Sequence, residues 1–464
     1  MIYSIEEYDV QKEQKLINDF LDSKDRRKLC ELKEYARGNN PFIAGRVKKV
    51  YDEETGTSIE NSFTPNYKSK YGFYGQMISQ KVNALTSESP LIEGIDEQVR
   101  KQLGFATKKA SYIASMQGYS FTFVGAENQF IVFDTENVLA FADNLGNLKV
   151  VLRIWQSTIN NRTVTYYERY NEKGLQTFQY GAGINRTEVT PLIPYKVKIR
   201  QSQISTEYIP EDIQVLPIII CKNNEQMTPD LTPAIRSKID LIDLIESDLY
   251  NNIQEFSDIW LSVSADVTID EAKKIRNAVR KTKTVVAKDG ELDVKTIQIP
   301  YEARQAGLNI LKQDLIEDSG IIDFKEIKGN ATATEINART YRLVQKVSDF
   351  EWYVDEYLTA VVKVWELYNN LNFEPVITFQ KLFIKNNLET VNIANSVADR
   401  ISQRSYLRLL QQANVIENVE DELEELEKES ISKFSLGEID GQGTQTDGQG
   451  FASNEQTNTA IIPE

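Results

Sequence analysis

The sequence predicts an α+β protein in which strands and helices are segregated. Three observations carry this. Residues 119–220 hold short alternating apolar runs broken by turn residues, helical apolar spacing flanks them on both sides, and one helical repeat near residue 350 is far longer than a small domain is deep.

Residues 5–37 are charged and helix-prone, with Leu16, Ile17, Phe20, Leu21, Leu29 and Leu32 spaced for one buried face. Gly38-Asn39-Asn40-Pro41 marks a turn. A helical segment is expected over 63–85, after Pro65-Asn66, from the spacing of Tyr71, Tyr74, Met77, Ile78, Val82 and Leu85. From about 119 to 220 the period drops to two. Phe121, Phe123, Ile131, Phe133, Val150, Leu152, Ile154, Val164, Tyr166 and Tyr180 sit in runs separated by turns such as Asn144-Leu145-Gly146-Asn147 and Asn171-Glu172-Lys173-Gly174. This predicts an antiparallel β subdomain, closed by the apolar run from Val215 to Cys221.

From 229 the chain turns helical, with Pro229 and Pro233 flanking the start. Ile235, Ile239, Ile242, Leu249, Ile253, Phe256 and Trp260 follow a coiled-coil-like spacing, with Glu246 at the one missing step. The opposite side carries Asp240, Asp243, Ser247, Asn251, Gln254 and Asp258, which predicts an acidic face. Residues 261–300 form a compact insert. A helix begins at Ile269-Asp270-Glu271, and a hairpin turns at Asp289-Gly290 between Val285-Val286 and Leu292–Val294.

A second helix over about 301–318 contains Leu308, Leu311 and Leu315 and stops before Gly320; residues 321–332 are a loop. Thr332 and Glu335 make a capping box for the longest helix. In it Ile336, Thr340, Leu343, Val347, Phe350, Val354, Tyr357, Val361, Val364 and Tyr368 repeat in steps of four and three. At about 1.5 Å per residue, 333–371 spans roughly 58 Å, so this helix should cross between domains or between subunits. A strand over Val376–Phe379 follows Pro375, and helices occupy 386–430, ending in an acidic stretch from Glu417 to Glu429. Residues 437–459, rich in Gly, Gln, Thr, Asn and Ser, read as a disordered tail.

Composition narrows the chemistry. The 464 residues carry a formal net charge of −16, against tight gripping of a nucleic-acid backbone but compatible with an acidic wall that DNA slides past. There is no histidine, which removes the commonest general base and most zinc sites. Cys30 and Cys221 stand apart and read as free thiols. No phosphate-binding GxxxxGK[ST], no GxSxG and no strand-linked GxGxxG occurs, so any ATP-driven work falls to a partner. Carboxylate pairs such as Asp240 with Asp243 read as a solvated helix face rather than a two-metal site. The first 20 residues resemble no secretory signal, and no apolar run is long enough to span a bilayer, so a cytoplasm, or a particle built in one, is expected.

Two charged segments stay open on residue chemistry. Lys273, Lys274, Arg276, Arg280, Lys281, Lys283 and Lys288 make either a solvated helix face or a docking surface for an acidic partner or DNA. Loop 321–332, with Asp323, Lys325, Glu326, Lys328, Gly329 and Asn330, read alone, is an exposed connector.

Four segments, in order, resemble a known family. They are Tyr35–Val47 (YARGNNPFIAGRV), Pro65–Pro90 (PNYKSKYGFYGQMISQKVNALTSESP), Leu216–Asn252 (LPIIICKNNEQMTPDLTPAIRSKIDLIDLIESDLYNN) and Ile377–Glu429 with its strand, loop and acid-rich helices. The ordered set resembles the portal proteins of tailed double-stranded DNA phages, of the kind found in long-tailed phages of Gram-positive bacteria, over residues 35–430. The resemblance implies a portal-type elongated subunit with a helical stem, a small α/β clip, a mixed wing with the antiparallel β subdomain, a long wing helix and a helical crown. On that plan 1–228 is wing, 229–260 the stem helix, 261–300 the clip, 301–320 the second stem helix, 321–332 the tunnel loop, 333–384 the long wing helix and strand, 385–430 the crown, and 431–464 the tail.

The resemblance further implies a non-enzymatic ring of about twelve subunits at one capsid vertex, for genome packaging, head–tail joining and genome ejection. Lys325, Glu326, Lys328, Gly329 and Asn330 would face DNA. Asp240, Asp243 and Asp258 would form an acidic stem surface. Lys273, Arg276, Arg280 and Lys281 would dock partners at the clip. The implied partners are the packaging ATPase (the terminase large subunit), a head-completion adaptor, the major capsid and scaffolding proteins and the DNA in transit. No cofactor, metal or membrane is implied, and the location is the virion, with the host cytoplasm during assembly. The rival readings are a structural ring or adaptor of the tail and a metal-dependent DNA-processing enzyme.

Overall fold

The structure, a computed structural model, describes residues 2–52, 57–60, 65–159, 161–181, 183–201, 206–211, 215–256, 260–264, 291–295, 301–323, 333–381, 394–412 and 422–428, plus isolated positions between them. The chain divides into two compact units, one of residues 1–330 and 336–384, the other of 331–335 and 385–464.

The chain opens with β1 (Ile2–Ser4), two short 3-10 turns, α1 (Glu13–Leu21) and α2 (Lys24–Ala36). Ser23 caps α2 by accepting from the Arg26 N–H at 3.1 Å. Asn40 accepts from the Phe42 N–H and, with Pro41 next, starts the single turn α3 (Pro41–Ala44). A hairpin of β2 (Lys49–Asp52) and β3 (Thr57–Glu60) follows. Residues 65–72 are not helical, which corrects the expected start near 63; α4 (Phe73–Thr86) begins only after Gly72. The reason lies in the hydrogen bonds of this segment, described below.

After β4 (Leu91–Ile92) comes α5 (Glu97–Gln117), a 21-residue helix that the apolar spacing did not announce. Its buried face includes Ala106, Thr107, Ala110, Ser111, Ala114 and Ser115, small or hydroxyl-bearing side chains that a count of large apolar residues passes over. Thr107 satisfies its own hydroxyl by donating to the Leu103 carbonyl at 2.7 Å. Gly118 ends the helix at φ 98°, where a Cβ would stand 2.1 Å from the Met227 carbonyl oxygen.

The β subdomain contains β5 (Tyr119–Gly125), β6 (Gln129–Phe133), β7 (Val138–Ala142), β8 (Leu148–Ile159), β9 (Arg162–Asn171), β10 (Gly174–Gly181), β11 (Ile184–Ile193), the hairpin β12 (Lys196–Gln201) with β13 (Thr206–Glu211), and β14 (Ile218–Lys222). Six strands form one sheet in the order β1-β7-β8-β9-β10-β11, antiparallel except for the parallel β1–β7 pair. A second sheet, β14-β5-β6, lies on one face, where Phe121, Phe133, Leu216 and Ile218 cluster with Val138, Ala140, Val151 and Tyr170. On the other face, Ile17 and Phe20 of α1 meet Leu139, Phe141, Leu152 and Ile154. With both faces covered, β7 is buried at every position and reads as a continuous apolar run instead of an alternating one.

The rest of the first unit is helical: α6 (Pro233–Phe256), α7 (Tyr301–Ser319) and α8 (Ala333–Asn369), with β15 (Trp260–Ser264) and β16 (Glu291–Lys295) between α6 and α7. β16 pairs antiparallel with β15, from Trp260↔Lys295 to Ser264↔Glu291. Leu292–Val294 therefore bonds to a strand that directly follows α6; the expected partner Val285-Val286 and turn Asp289-Gly290 lie outside the described residues. α8 has 37 residues, about 55 Å at 1.5 Å per residue. Its residues 333–335 belong to the second unit. From Leu343 on, its length serves two cores of the first unit. Leu343, Val347, Phe350 and Val354 pack with Leu85 and Ile322. Tyr357, Val361 and Trp365 enter the largest core, with Tyr35, Met77, Ile113, Ile239 and Leu315. β17 (Ile377–Thr378) pairs with β4.

In the second unit, Ser402 caps α9 (Gln403–Gln412) by accepting from the Ser405 N–H at 3.2 Å, and Tyr406 Oη donates to Asn395. Residues 422–428 are helical. The expected tail, 431–464, lies outside the described residues.

Candidate functional site

Helices α6 and α7 form an antiparallel hairpin. Lys238 pairs with Asp318 at 2.6 Å, and Lys312 pairs with Glu246 at 2.7 Å, so residues advance along one helix as they recede along the other. Ile235, Ile239 and Ile242 share their apolar cluster with Leu308 and Leu315. The apolar spacing of α6 carries through into packing from Ile235 to Leu249; beyond that the expectation is corrected, because Ile253 is exposed and Trp260 lies in β15 after the helix has ended, paired with Lys295.

Its polar side does not stay open. Asp243 is 0% exposed, Ser247 2% and Asn251 1%. Each is matched by a main-chain N–H of the extended segment 65–71. Tyr71 N donates to Asp243 Oδ1 at 2.6 Å, Ser69 N to Ser247 Oγ at 2.9 Å, and Tyr67 N to Asn251 Oδ1 at 2.7 Å. Asn251 Nδ2 returns a bond to the Tyr67 carbonyl at 3.1 Å. These bonds take the N–H groups of Tyr67, Ser69 and Tyr71, which a helix through this segment would need for itself, so α4 starts late. Asn40 Nδ2 bridges Asp240 and Asp243, at 2.9 and 2.7 Å, and Tyr35 Oη donates to Asp240 at 2.7 Å.

The expected acidic stem surface is therefore corrected at Asp243, which is internal, and at Asp240, which is largely spent on Tyr35 and Asn40. The reason is that buried carboxylates find hydrogen-bond donors instead of water. Burial pushes Asp243 up to about 6, against the Asn40 and Tyr71 bonds that pull it down; Glu246 and Asp240 add to the rise. Asp258 lies outside the described residues.

The acidic exposed face sits on α7 instead. Glu302, Asp314, Glu317 and Asp318 are exposed there, the last paired with Lys238, along with Asn309, Gln313 and the apolar Tyr301 and Ile310. Sequence reading placed this helix by its leucines and did not weigh its outer side. The signal was present in the acids crowded into its last turns.

Beside the start of α6 lies a buried charge cluster that sequence reading also missed. Lys81 Nζ contacts Asp230 at 3.1 Å, donates to Asn223 Oδ1 at 2.6 Å and stands 3.9 Å from the Phe350 ring centre. Burial pushes Lys81 down to about 8, although Asp230 pulls it up. Burial would raise Asp230, but Lys81 and Lys346 hold it below the usual carboxylate value. Lys346 reaches Asp230 at 3.6 Å. Arg342 donates to the Glu317 carbonyl at 2.8 Å, tying α8 to the end of α7. A cavity of about 500 Å³ opens here, lined in part by Asp230, Thr232, Ser319, Gly320, Arg342 and Lys346. The clue was Lys81 itself, placed between Met77 and Leu85 on an otherwise apolar helix face.

Lys325, Glu326, Lys328, Gly329 and Asn330, and likewise Lys273, Arg276, Arg280 and Lys281, lie outside the described residues. Both cysteines are free, and Cys221 is buried. Among the described residues, no group of three or more Cys, Asp or Glu is set to hold a metal ion, and no helix is long and apolar enough to cross a membrane.

Comparison with known proteins gives one family. Residues 46–433 match the model of the phage portal protein family, SPP1 Gp6-like. The portal protein of Clostridium phage phiCD119 is 20% identical over 455 residues, covering 89% of this chain and 96% of that protein. A chain from the virion of a native gene transfer agent particle superposes with a TM-score of 0.38 at 10% identity, covering 84% of this chain and 94% of that one.

Proposed function

We infer the role of this chain from kinship: it belongs to the SPP1 Gp6-like phage portal proteins, and is a structural component of a phage capsid, a subunit of an oligomeric ring and not an enzyme. The tail-adaptor and DNA-processing readings are not favoured by this family.

Within that role we propose that α6 and α7 build the stem, that 261–300 is the clip, that 321–332 is the tunnel loop and that 385–430 is the crown. About twelve copies close the ring, the terminase large subunit and a head-completion adaptor dock at the clip, the scaffolding and major capsid proteins surround the wing, and assembly takes place in the host cytoplasm. Lys325, Lys328 and Asn330 approach DNA phosphates from the tunnel loop.

The observation that carries the stem assignment is the exposed acidic face of α7. A wall of carboxylates repels the duplex, so DNA passes in either direction without sticking. Glu302, Asp314 and Glu317 form the acidic stem surface expected of Asp240, Asp243 and Asp258, and on this reading they line the channel. The test is charge reversal. Asp314→Lys with Glu317→Lys should leave ring formation intact and lower packaged DNA by roughly tenfold, with the defect eased by salt. Packaging at the normal level would refute the lining role of α7. Shortening loop 321–332 should likewise impair packaging while rings still form.

A further inference from the structure

We infer that the extended segment 65–71 is a strap that sets the roll of α6 about its own axis, with Asp243, Ser247 and Asn251 as positioning residues. The inference rests on the stem reading above, because the roll of α6 decides which side of α7 is left facing outward.

The geometry is periodic on both partners. Tyr67, Ser69 and Tyr71 alternate along an extended chain, about 6.7 Å per two residues. Asn251, Ser247 and Asp243 recur every four residues down one helix face, about 6.0 Å apart. The two repeats nearly match, so three successive N–H groups meet three successive acceptors, with strap and helix running antiparallel. Asn251 both accepts from the Tyr67 N–H and donates to the Tyr67 carbonyl, as a neighbouring strand would.

The register is unique. A two-residue slip one way sets Pro65, which has no N–H, against Asn251. A slip the other way calls on the Phe73 N–H, already given to the Tyr71 carbonyl at 2.7 Å.

The strap also reaches α7. Ser69 Oγ donates to Glu246 Oε2 at 2.9 Å, while Lys312 of α7 holds Glu246 Oε1 at 2.7 Å and stands 5.1 Å from the Tyr71 ring centre. A rotation of α6 would have to break the three N–H bonds and the Glu246 link together. The strap acts together with Asn40 and Tyr35, which hold Asp240 and Asp243, and with Arg46, which donates to Asp248 at 2.9 Å.

Residue-resolved amide hydrogen exchange on the assembled ring is the direct test. Tyr67, Ser69 and Tyr71 should exchange at least about tenfold more slowly than Lys68 and Lys70. Uniform exchange across 67–71 would overturn the strap. Ser69→Pro removes the middle N–H, and with it the Ser69 Oγ bond to Glu246, without changing any residue of α6. In that variant, protection at Tyr67 and Tyr71 should fall, and the ratio of thiol-labelling rates at Asn309→Cys on α7 and Ser237→Cys on α6 should shift several-fold. An unchanged ratio would overturn control of the roll. If Ser69→Pro yields no rings, Asn251→Ala is read instead: it removes the acceptor for the Tyr67 N–H, so exchange at Tyr67 should rise more than at Ser69 and Tyr71, and no rise would count against the assignment. The portal reading fails separately, if the unmodified chain forms rings through which DNA does not pass.

Discussion

Lys81 and Asp230 are the residues where the fold is most exposed to a single substitution. Both are nearly excluded from water and each answers the other's charge. Removing one partner of a buried pair leaves the other unanswered, at about 3–5 kcal/mol. Asp230→Leu, which leaves Lys81 without a carboxylate, should lower the unfolding free energy in chemical denaturation by about that much, and Lys81→Met by less, because Lys346 and Asn223 still hold Asp230. Asp243 gives a pH signature. Its folded value near 6 lies above the ordinary 3.8, so the folded state holds the proton more tightly. Unfolding free energy should therefore fall as pH rises across that window and level off above it. Asp243→Asn should remove this part of the slope, which urea titrations at stepped pH would measure. The Lys81 cluster was legible in principle, as a lysine on an apolar stripe. Asp243 was not: burial of that face depends on a segment some 170 residues away in sequence.

At the scale of elements, α8 and α5 carry the packing. Phe350 of α8 is 1% exposed and lies beneath Lys81. Phe350→Ala should destabilise by about 3–5 kcal/mol through lost burial and the cavity left behind, visible in the same denaturation curves. Gly118 is a backbone requirement rather than a packing one. Gly118→Ala sets a methyl against the Met227 carbonyl and should lower the melting temperature measurably, with the loss concentrated where α5 meets β5. Helices α7, α8 and the first part of α6 were legible because large apolar residues mark their buried sides; the end of α6 was not, since Ile253 is exposed and Trp260 belongs to β15. Helix α5 was missed because alanine, serine and threonine separate Val99, Leu103, Ile113 and Met116 on its contact face, and the β15–β16 pair was missed because its strands come from the two ends of a long insert.

At the scale of the molecule, the portal role makes the ring the unit of function. The full chain, purified, should give a closed ring of about twelve subunits by native mass measurement, with a bore wide enough for a duplex. A monomer would contradict it.

What the sequence determined by itself was local or compositional. The α+β division follows from a change of apolar period, the start of α6 from its prolines, and the family from an ordered set of segments that survive as text. The absence of histidine and of a phosphate-binding loop removed whole classes of chemistry. What only the tertiary structure decided was which polar faces meet water. A helix face of Asp, Ser and Asn looks the same in sequence whether solvent or a strap covers it, because hydrogen bonds to distant main-chain N–H groups leave no periodic trace. For that reason the exposed carboxylates stand on α7, while the strap covers Asp243, Ser247 and Asn251 of α6.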